Sequence, residues 1–444
     1  MKSVKNLLFF LVIAAMVLSA CAPTQPVATT VPLATDEATA VTVTESAAPT
    51  ENSLAGTTIT VLLPPWGEIP AAQLAEFENS TGIKVDMQVS GWDEIHDKIA
   101  VAAVANTAVA DVVEVDWSWV GEFKNTGWFV PLNSFVTDDM KQDIPLIGTF
   151  TAGENILALP YSNDFRIGTY NKDHFTKAGI TEAPTTWDEL IADMIKIKES
   201  GVAEYPLGFP LSVSEGTTTN FILMTISRSG VLFNEDGTLN EANALATFQL
   251  INDGVNVQKI IDPNNLVMTD QEINTQFFQG KQSIVFGGPN MYDDANNPDK
   301  STIVGNVSRF LIPGRDEVRS TTFGLPEGIG IPSSSKNQEA AWKFIEWAVS
   351  PQGAKAYADT QGLLPPRTSV FSDYVSQDKY AEGDVLLEQI KYNGTFAPQS
   401  GTPSWYPKFS LAVQDAVNKV AGGTMTPEDA VASLSETVKS LLAQ

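Results

Sequence analysis

The chain of 444 residues is long enough for two or three domains of about 150 residues each, and its 43% of hydrophobic residues is enough to form their cores. The net charge of −26 argues against nucleic acid or an anionic membrane surface as a partner. The single cysteine excludes an internal disulfide framework and a cysteine-based metal site.

The N-terminal segment, residues 1–20, has the pattern of a secretory signal peptide. Two lysines precede an unbroken apolar run from Leu7 to Leu18, which is short for a membrane-spanning helix. The sequence Leu-Ser-Ala-Cys ending at Cys21 resembles the lipobox of bacterial lipoproteins, which implies cleavage before Cys21 and its acylation. Residues 21–56 contain no aromatic or basic residue. We expect them to form a flexible stalk that anchors an extracytoplasmic domain to the membrane through lipid.

Strands and helices alternate from Thr57 onward. The stretches TTITVLL, IKVDMQV and DVVEV predict strands, and AAQLAEFENSTG and Asp93–Ala105 predict the helices between them. This alternation predicts a mostly parallel, doubly wound sheet, in which ligands bind at the carboxyl ends of the strands. Three loops are therefore expected at one rim, at residues 64–68, 90–92 and 116–119.

Three capping boxes predict the starts of later helices, at Thr186–Glu189, Ser335–Gln338 and Thr426–Asp429. Motifs of serine hydrolases, zinc proteases and nucleotide-binding proteins do not occur in the sequence. The two histidines, His96 and His174, are both expected on the surface, which argues against a histidine-dependent catalytic or zinc site. No metal or cofactor is expected.

Three tryptophans stand at strand-to-helix turns, each close to an acidic residue. Indole rings pack on the C–H face of a sugar, and carboxylates pair with its hydroxyl groups. The pattern therefore indicates a sugar-binding lining, although ordinary core packing explains any one of these tryptophans as well. The six residues are Trp66, Glu68, Trp92, Asp93, Asp116 and Trp117.

A pair of acids on the third strand raises the alternative of glycoside hydrolysis. Glu114 and Asp116 lie two residues apart and so face the same side of the strand, and retaining glycosidases need two carboxyls about 5 Å apart. We expect Glu114 to lie at the exposed end of the strand or to cap a neighbouring element instead, which disfavours a catalytic pair.

Seven motifs occur in the order found in the extracellular solute-binding proteins of family 1, the sugar-binding lipoproteins of ABC importers that are similar to maltose-binding protein. The resemblance covers nearly all of residues 57–444. The motifs are FENSTGIKV, DVVEVDW, LPYSNDFRIGTYNKDHF, TTWDEL, FFQGKQSIVFGGPN, SKNQEAAWKFIEW and SWYPKFSLAVQDAV.

The resemblance implies an α/β, two-lobed periplasmic-binding-protein fold (type II), with a mostly parallel sheet in each lobe and hinge segments between them. Lobe 1 would comprise residues 57–161 and 324–372, and lobe 2 residues 162–323 and 373–444. Ligand would be enclosed between the lobes.

The resemblance also implies ligand-binding positions in the matching motifs. Arg166 is expected to contact ligand or to pair with Asp164, and Tyr292 to take the stacking role that Asn290 leaves vacant. The implied positions are Asp116, Trp117, Tyr161, Asp164, Arg166, Asn290, Tyr292, Glu327 and Trp405.

These patterns together predict a non-enzymatic receptor that acts as a monomer. It would bind a carbohydrate, expected to be an oligosaccharide, and deliver it to ABC permease subunits without nucleic acid as a partner. Two alternatives stay open: a binding protein for a polyamine or another non-sugar solute, and a surface glycoside hydrolase.

Overall fold

The computed structural model describes residues 54–315, 321–394 and 402–443. The predicted signal peptide, Cys21 and most of the predicted stalk lie outside the described residues. The last stalk residues, 54–56, form a turn, in which the Gly56 N–H donates to the Gly82 carbonyl at 2.8 Å. None of the helices in the described ranges has the length and apolar character needed to span a membrane.

The strands within the described ranges are short, and most are buried. They are β1 (Thr58–Leu63), β2 (Lys84–Val89), β3 (Val112–Asp116), β4 (Thr151–Ala152), β5 (Asn155–Ile156), β6 (Leu159–Pro160), β7 (Ile167–Asn171), β8 (Ile284–Gly287), β9 (Val307–Phe310), β10 (Thr322–Phe323), β11 (Glu327–Gly330) and β12 (Asn393–Gly394).

The α-helices cover these strands and form the helical core of the C-terminal half. They are α1 (Ala71–Thr81), α2 (Trp92–Val104), α3 (Val120–Phe123), α4 (Asp138–Asp143), α5 (Lys172–Lys177), α6 (Trp187–Glu199), α7 (Glu215–Ser229), α8 (Glu241–Asn252), α9 (Asp270–Phe278), α10 (Met291–Asn296), α11 (Gln338–Ala348), α12 (Pro351–Gln361), α13 (Thr368–Ser376), α14 (Gly383–Ile390), α15 (Tyr406–Ala421) and α16 (Pro427–Leu442).

The first sheet has five strands in the order β2-β1-β3-β11-β6. Strand β1 runs parallel to β2 and β3, as the alternation of strands and helices predicts. Strand β11 returns from late in the chain and pairs antiparallel with β3, so that Glu327 lies opposite Asp116. The carboxyl ends of β1, β2 and β3 therefore share one edge with the start of β11.

The second sheet has three strands in the order β8-β7-β9 and differs from the expected, mostly parallel arrangement. Strands β8 and β9 flank helix α10 as a βαβ unit and run in the same direction. Strand β7 lies between them and is antiparallel to both. The chain enters β7 directly from the first sheet, whereas it enters β9 from helix α10 of the second sheet.

Separate hydrophobic cores surround the two sheets. The first sheet packs its two faces into clusters around Phe77 and Phe123. Helices α6, α7, α8, α15 and α16 form a larger cluster around Trp187, which is 1% exposed. The chain crosses from the first sheet to the second between β6 and β7 and returns between β9 and β11. The limits of the two lobes stay predictions.

Two of the three predicted capping boxes open helices as expected. The Thr186 hydroxyl accepts from the Glu189 N–H at 3.1 Å, and Thr426 accepts from the Asp429 N–H at 3.1 Å. The prediction for Ser335 is wrong, because its hydroxyl donates to Asp111 at 2.6 Å and α11 begins later, after Asn337. The sequence pattern alone cannot reveal this distant partner.

The expectation of a surface position is also wrong for His174. This side chain is buried, with Nδ1 at 2.9 Å from the Ser283 hydroxyl, and burial lowers the pKa of its imidazole. Helix α5 turns it inward because Asn171 caps the preceding N–H groups. His96 is half-buried and lies 3.0 Å from Glu122.

Replacing Thr186 with alanine is expected to lower the free energy of unfolding by about 1 kcal/mol, because the cap of α6 loses its acceptor. Urea unfolding measures the change. Thr186→Ser is the matched control, since it keeps the hydroxyl; an equal loss in this variant would contradict a capping role.

Candidate functional site

Three acidic side chains converge where β3 and β11 meet. Asp116 and Glu327 are directly opposed in the antiparallel register, and Glu114 lies two residues before Asp116 on the same face of β3. The expectation that Glu114 lies at an exposed strand end is wrong: it is 0% exposed. Strand β3 is central in the sheet and covered on both faces, so its acids are enclosed.

Neutral donors hold two of these carboxyls in place. Glu114 accepts from the Tyr161 hydroxyl at 2.9 Å, and Tyr161 stacks on Tyr357 with ring centroids 4.9 Å apart. Asp116 accepts from the Ser118 N–H at 2.7 Å and from the Trp92 indole N–H. Within the described ranges, no lysine or arginine forms an ion pair with Glu114, Asp116 or Glu327.

Burial without a cation favours the protonated forms of these acids. Burial and, to a smaller extent, the neighbouring Asp116 charge together raise the pKa of Glu114 to about 8. Burial also raises the pKa of Asp116 to about 6 and that of Glu327 well above its ordinary value. The carboxyl charges of Glu114 and Asp116 add to the rise for Glu327. The three carboxyls therefore hold at least one proton near neutral pH.

A cavity of about 370 Å³ opens beside this cluster, within the range of small-molecule pockets, about 300–1,000 Å³. It combines an indole ring, acids, amides and one guanidinium. Five of the sequence-predicted site residues line it, and they are Trp66, Asp164, Arg166, Asn290 and Glu327. The indole N–H of Trp66 and one carboxyl oxygen of Glu327 are buried without a hydrogen-bond partner in the described residues.

Asp164 and Arg166 form an ion pair, with Nη1 and Oδ2 3.2 Å apart. Burial raises the pKa of Asp164, and the guanidinium of Arg166 acts in the opposite direction. The Nε of Arg166 is buried without a partner in the described ranges. Gly288 lies between Asp164 and Asn290, and a Cβ there would approach both side chains to within about 3 Å. A side chain at this position would fill the cavity wall.

Four predicted residues lie behind the cavity lining. Asp116 and Trp92 bond to each other at the strand end, and Tyr161 is fully buried against Glu114. Trp117 is 6% exposed, with its ring centroid 5.0 Å from that of Tyr406 and 5.9 Å from that of Phe323. The structure thus gives the Trp117 ring a core position; ligand stacking by it stays a prediction.

The remaining predicted residues also lie outside the lining. Glu68 is exposed, and its carbonyl accepts from the Gln361 amide at 2.6 Å. The Tyr292 ring lies under the Arg309 guanidinium at 4.5 Å. Trp405 packs edge-on against Phe233 with centroids 5.6 Å apart. Their roles in ligand binding stay predictions.

Several lining residues were not predicted from the sequence. Some of these could have been found, because Thr269 and Glu272 form a capping box that places Asp270 and Gln271 in the first turn of α9. The position of α7 beside the cavity depends on residues far away in the chain, so no local sequence pattern indicates it. The added residues include Ser162, Asn220, Asp270, Gln271, Asn274, Phe278, Phe286, Asp294 and Gln361.

No group of three histidine, cysteine or acidic side chains in the described part of the chain is arranged to hold a metal ion. The carboxyls of β3 and β11 face hydroxyl donors and one another instead. The chemistry available in the cavity is hydrogen bonding, charge and contact with an aromatic ring.

Comparison with known proteins assigns the chain to a family. The family model described as "Bacterial extracellular solute-binding protein" matches residues 66–355, more than half of the chain. A putative binding protein of Brucella abortus (strain 2308) is 28% identical over 343 residues, covering 74% of this chain and 79% of the relative. Diacetylchitobiose binding protein DasA of Streptomyces coelicolor is 26% identical over 67% of this chain and 70% of its own.

A solved structure shows the same fold. It is an ABC transporter solute-binding protein from Thermotoga lettingae with bound alpha-D-tagatose, and it superposes with a TM-score of 0.77. It is 25% identical and covers 87% of this chain and 100% of its own. The fold class predicted from the sequence, a two-lobed periplasmic-binding-protein fold of type II, is confirmed.

Proposed function

Because the chain belongs to the bacterial extracellular solute-binding proteins, we propose that it captures a carbohydrate or polyol and delivers it to the permease of an ABC importer. The ligand would bind in the cavity between the two sheets. It would be released without chemical change. As a member of this family, the protein is extracytoplasmic.

The observation that carries this proposal is the mixed chemistry of the cavity. Trp66 offers an apolar ring, while Asp164, Asn290 and Glu327 offer acceptors and donors for hydroxyl groups. A buried polar group left unpaired costs about 1–3 kcal/mol, so a ligand with matching hydroxyls is favoured over one without them. A volume of about 370 Å³ favours one or two sugar units, so we propose a short form of the oligosaccharide expected from the sequence.

Two relatives support the choice of ligand class. DasA is named as a diacetylchitobiose binding protein, and the Thermotoga lettingae protein holds alpha-D-tagatose. Closure of the two lobes on such a ligand would shift the population from an open to a closed form that docks on the permease.

The anchoring of the protein belongs to the same proposal. Acylation of Cys21 would tether the domain to the membrane through the stalk, and the protein would act there as a monomer. Mass spectrometry of the N-terminal peptide from membranes tests the lipid, and light scattering tests the monomer.

Trp66→Ala and Asp164→Asn are each expected to weaken sugar binding at least tenfold, because they remove a ring contact and a hydroxyl acceptor. Tryptophan fluorescence of the purified protein, titrated with a panel that includes tagatose, maltose and diacetylchitobiose, measures affinity. Calorimetry replaces fluorescence for the Trp66 variant.

The matched control is Glu346→Gln, which removes an exposed acid of α11 that pairs with Lys343 at 3.1 Å. It is expected to bind as the wild type does. Lack of response to every sugar and polyol would contradict the proposal, as would binding of spermidine alone. Recovery of a cleaved sugar would favour a glycoside hydrolase.

A further inference from the structure

We propose that the solute carries an ammonium group beside its hydroxyls, as an amino sugar or amino polyol does, and that Glu327 is the residue that selects for it. This inference rests on the proposed function and narrows its ligand class. It is carried by the charge of the cavity and by the enclosed acids behind it.

The lining of the cavity contains more acidic than basic side chains. Four carboxyl side chains line it, and Arg166 is the basic side chain among the lining residues of the described cavity. Arg166 is already paired with Asp164 at 3.2 Å, and Lys300 lies at 2.5 Å from Asp294 behind the wall. Asp270 and Glu327 have no ion-pair partner among the described residues, so these two carboxyls remain to attract a cation into the cavity. The four acids are Asp164, Asp270, Asp294 and Glu327.

Glu327 connects the cavity to the acids behind it. The Glu327 carboxyl lies beside those of Glu114 and Asp116, and one oxygen of Glu114 and one of Glu327 are buried without a hydrogen-bond partner in the described ranges. Glu114 is fully buried, so water does not reach that oxygen. A proton held between the carboxyls satisfies them while the cavity is empty of ligand.

An ammonium group in the cavity would satisfy the Glu327 carboxyl better than a hydroxyl does. It brings three donors and a positive charge, whereas a hydroxyl brings one donor. Charge-assisted hydrogen bonds are roughly twice as strong as neutral ones. The Trp66 ring in the same lining adds a face that attracts cations.

Such binding is coupled to proton release. The ammonium lowers the pKa of Glu327 and its neighbours, so the shared proton leaves when ligand binds, and affinity rises with pH. The groups that face this proton are Glu114 and Asp116 from β3, Tyr161 after β6, Tyr357 from α12, and Asp164 before β7. The two tyrosines stay protonated throughout, because burial raises the pKa of each well above its ordinary value.

The test compares neutral and amino members of matched pairs by calorimetry at pH 5.5 and 7.0. The pairs are glucose with glucosamine, galactose with galactosamine, mannose with mannosamine, and sorbitol with 1-amino-1-deoxysorbitol. We expect one amino member to bind at least tenfold more tightly than its neutral partner at pH 7.0. Its affinity should fall at pH 5.5. Its binding enthalpy should change with the ionisation enthalpy of the buffer, which measures proton release.

Glu327→Gln is expected to abolish the preference and the proton release, whereas Glu346→Gln keeps both. The buffer comparison on the wild type needs no variant, so it tests the proposal even if Glu327→Gln fails to fold. Equal or tighter binding of the neutral member in every pair that binds would overturn the inference and leave the proposed function intact. Absence of binding by all members of this panel and by the neutral sugars named above would overturn both.

Discussion

Replacing Trp117 with alanine is expected to lower the free energy of unfolding by about 3–5 kcal/mol, the usual effect of removing a large core aromatic side chain. The ring is 6% exposed and contacts Tyr406 and Phe323. It joins the loop after β3 to helix α15, and the Thr402 hydroxyl donates to the Trp117 carbonyl at 2.8 Å beside it. Urea unfolding of the purified protein measures the loss.

Trp117→Phe is the matched variant, because it keeps an aromatic ring in the same core and should lose clearly less stability than the alanine variant. Sugar titration of both variants distinguishes core packing of Trp117 from stacking of its ring on the ligand. Unchanged stability with strongly weakened binding would contradict a core role and support the ligand stacking that the sequence predicts.

The second expected result is a fall of about 3–5 kcal/mol in the free energy of unfolding between pH 5 and pH 8. The pKa of Glu114 is about 8 in the folded protein and near 4.5 in the unfolded chain. Between these values the folded state binds the proton and the unfolded state does not. The stabilisation is therefore complete below pH 4.5 and is lost as pH rises through 8. The raised pKa of Asp116, about 6, acts in the same direction.

Glu114→Gln is expected to reduce this pH dependence, leaving the part that comes from Asp116 and Glu327, whose pKa values are also raised, and to be more stable than the wild type at pH 8. The glutamine oxygen can still accept from Tyr161, so the packing is retained. The pKa of His174 is lowered by burial, which adds a slope of opposite sign below about pH 6.5, but both proteins share it. The difference between their free energies of unfolding, measured with urea at each pH, gives the contribution of the Glu114 carboxyl. Parallel pH profiles for the two proteins would show that Glu114 is ionised in the folded state.

Part of the candidate site was accessible from the sequence, because motif order placed Asp164, Arg166, Asn290 and Glu327, and a tryptophan at a strand-to-helix turn indicated Trp66. Trp66, Asp164, Arg166, Asn290 and Glu327 were predicted and do line one cavity. The acid cluster behind that cavity was not predicted as a unit, since Glu327 is distant in the chain from Asp116 and only strand pairing brings them together. Trp117 illustrates the reverse case: an aromatic beside an acid indicates a ligand platform, but helix α15 covers the ring.

The sequence by itself determined the elements whose cause is local. The strands β1 to β3, the helices between them and the caps at Thr186 and Thr426 depend on residues a few positions apart. Only the tertiary structure decided the direction of β7, the burial of Glu114 and the diversion of Ser335 to Asp111. Each of these depends on a partner far away in the chain, and a carboxyl in a central strand changes its ionisation only when sheet and helices close over it.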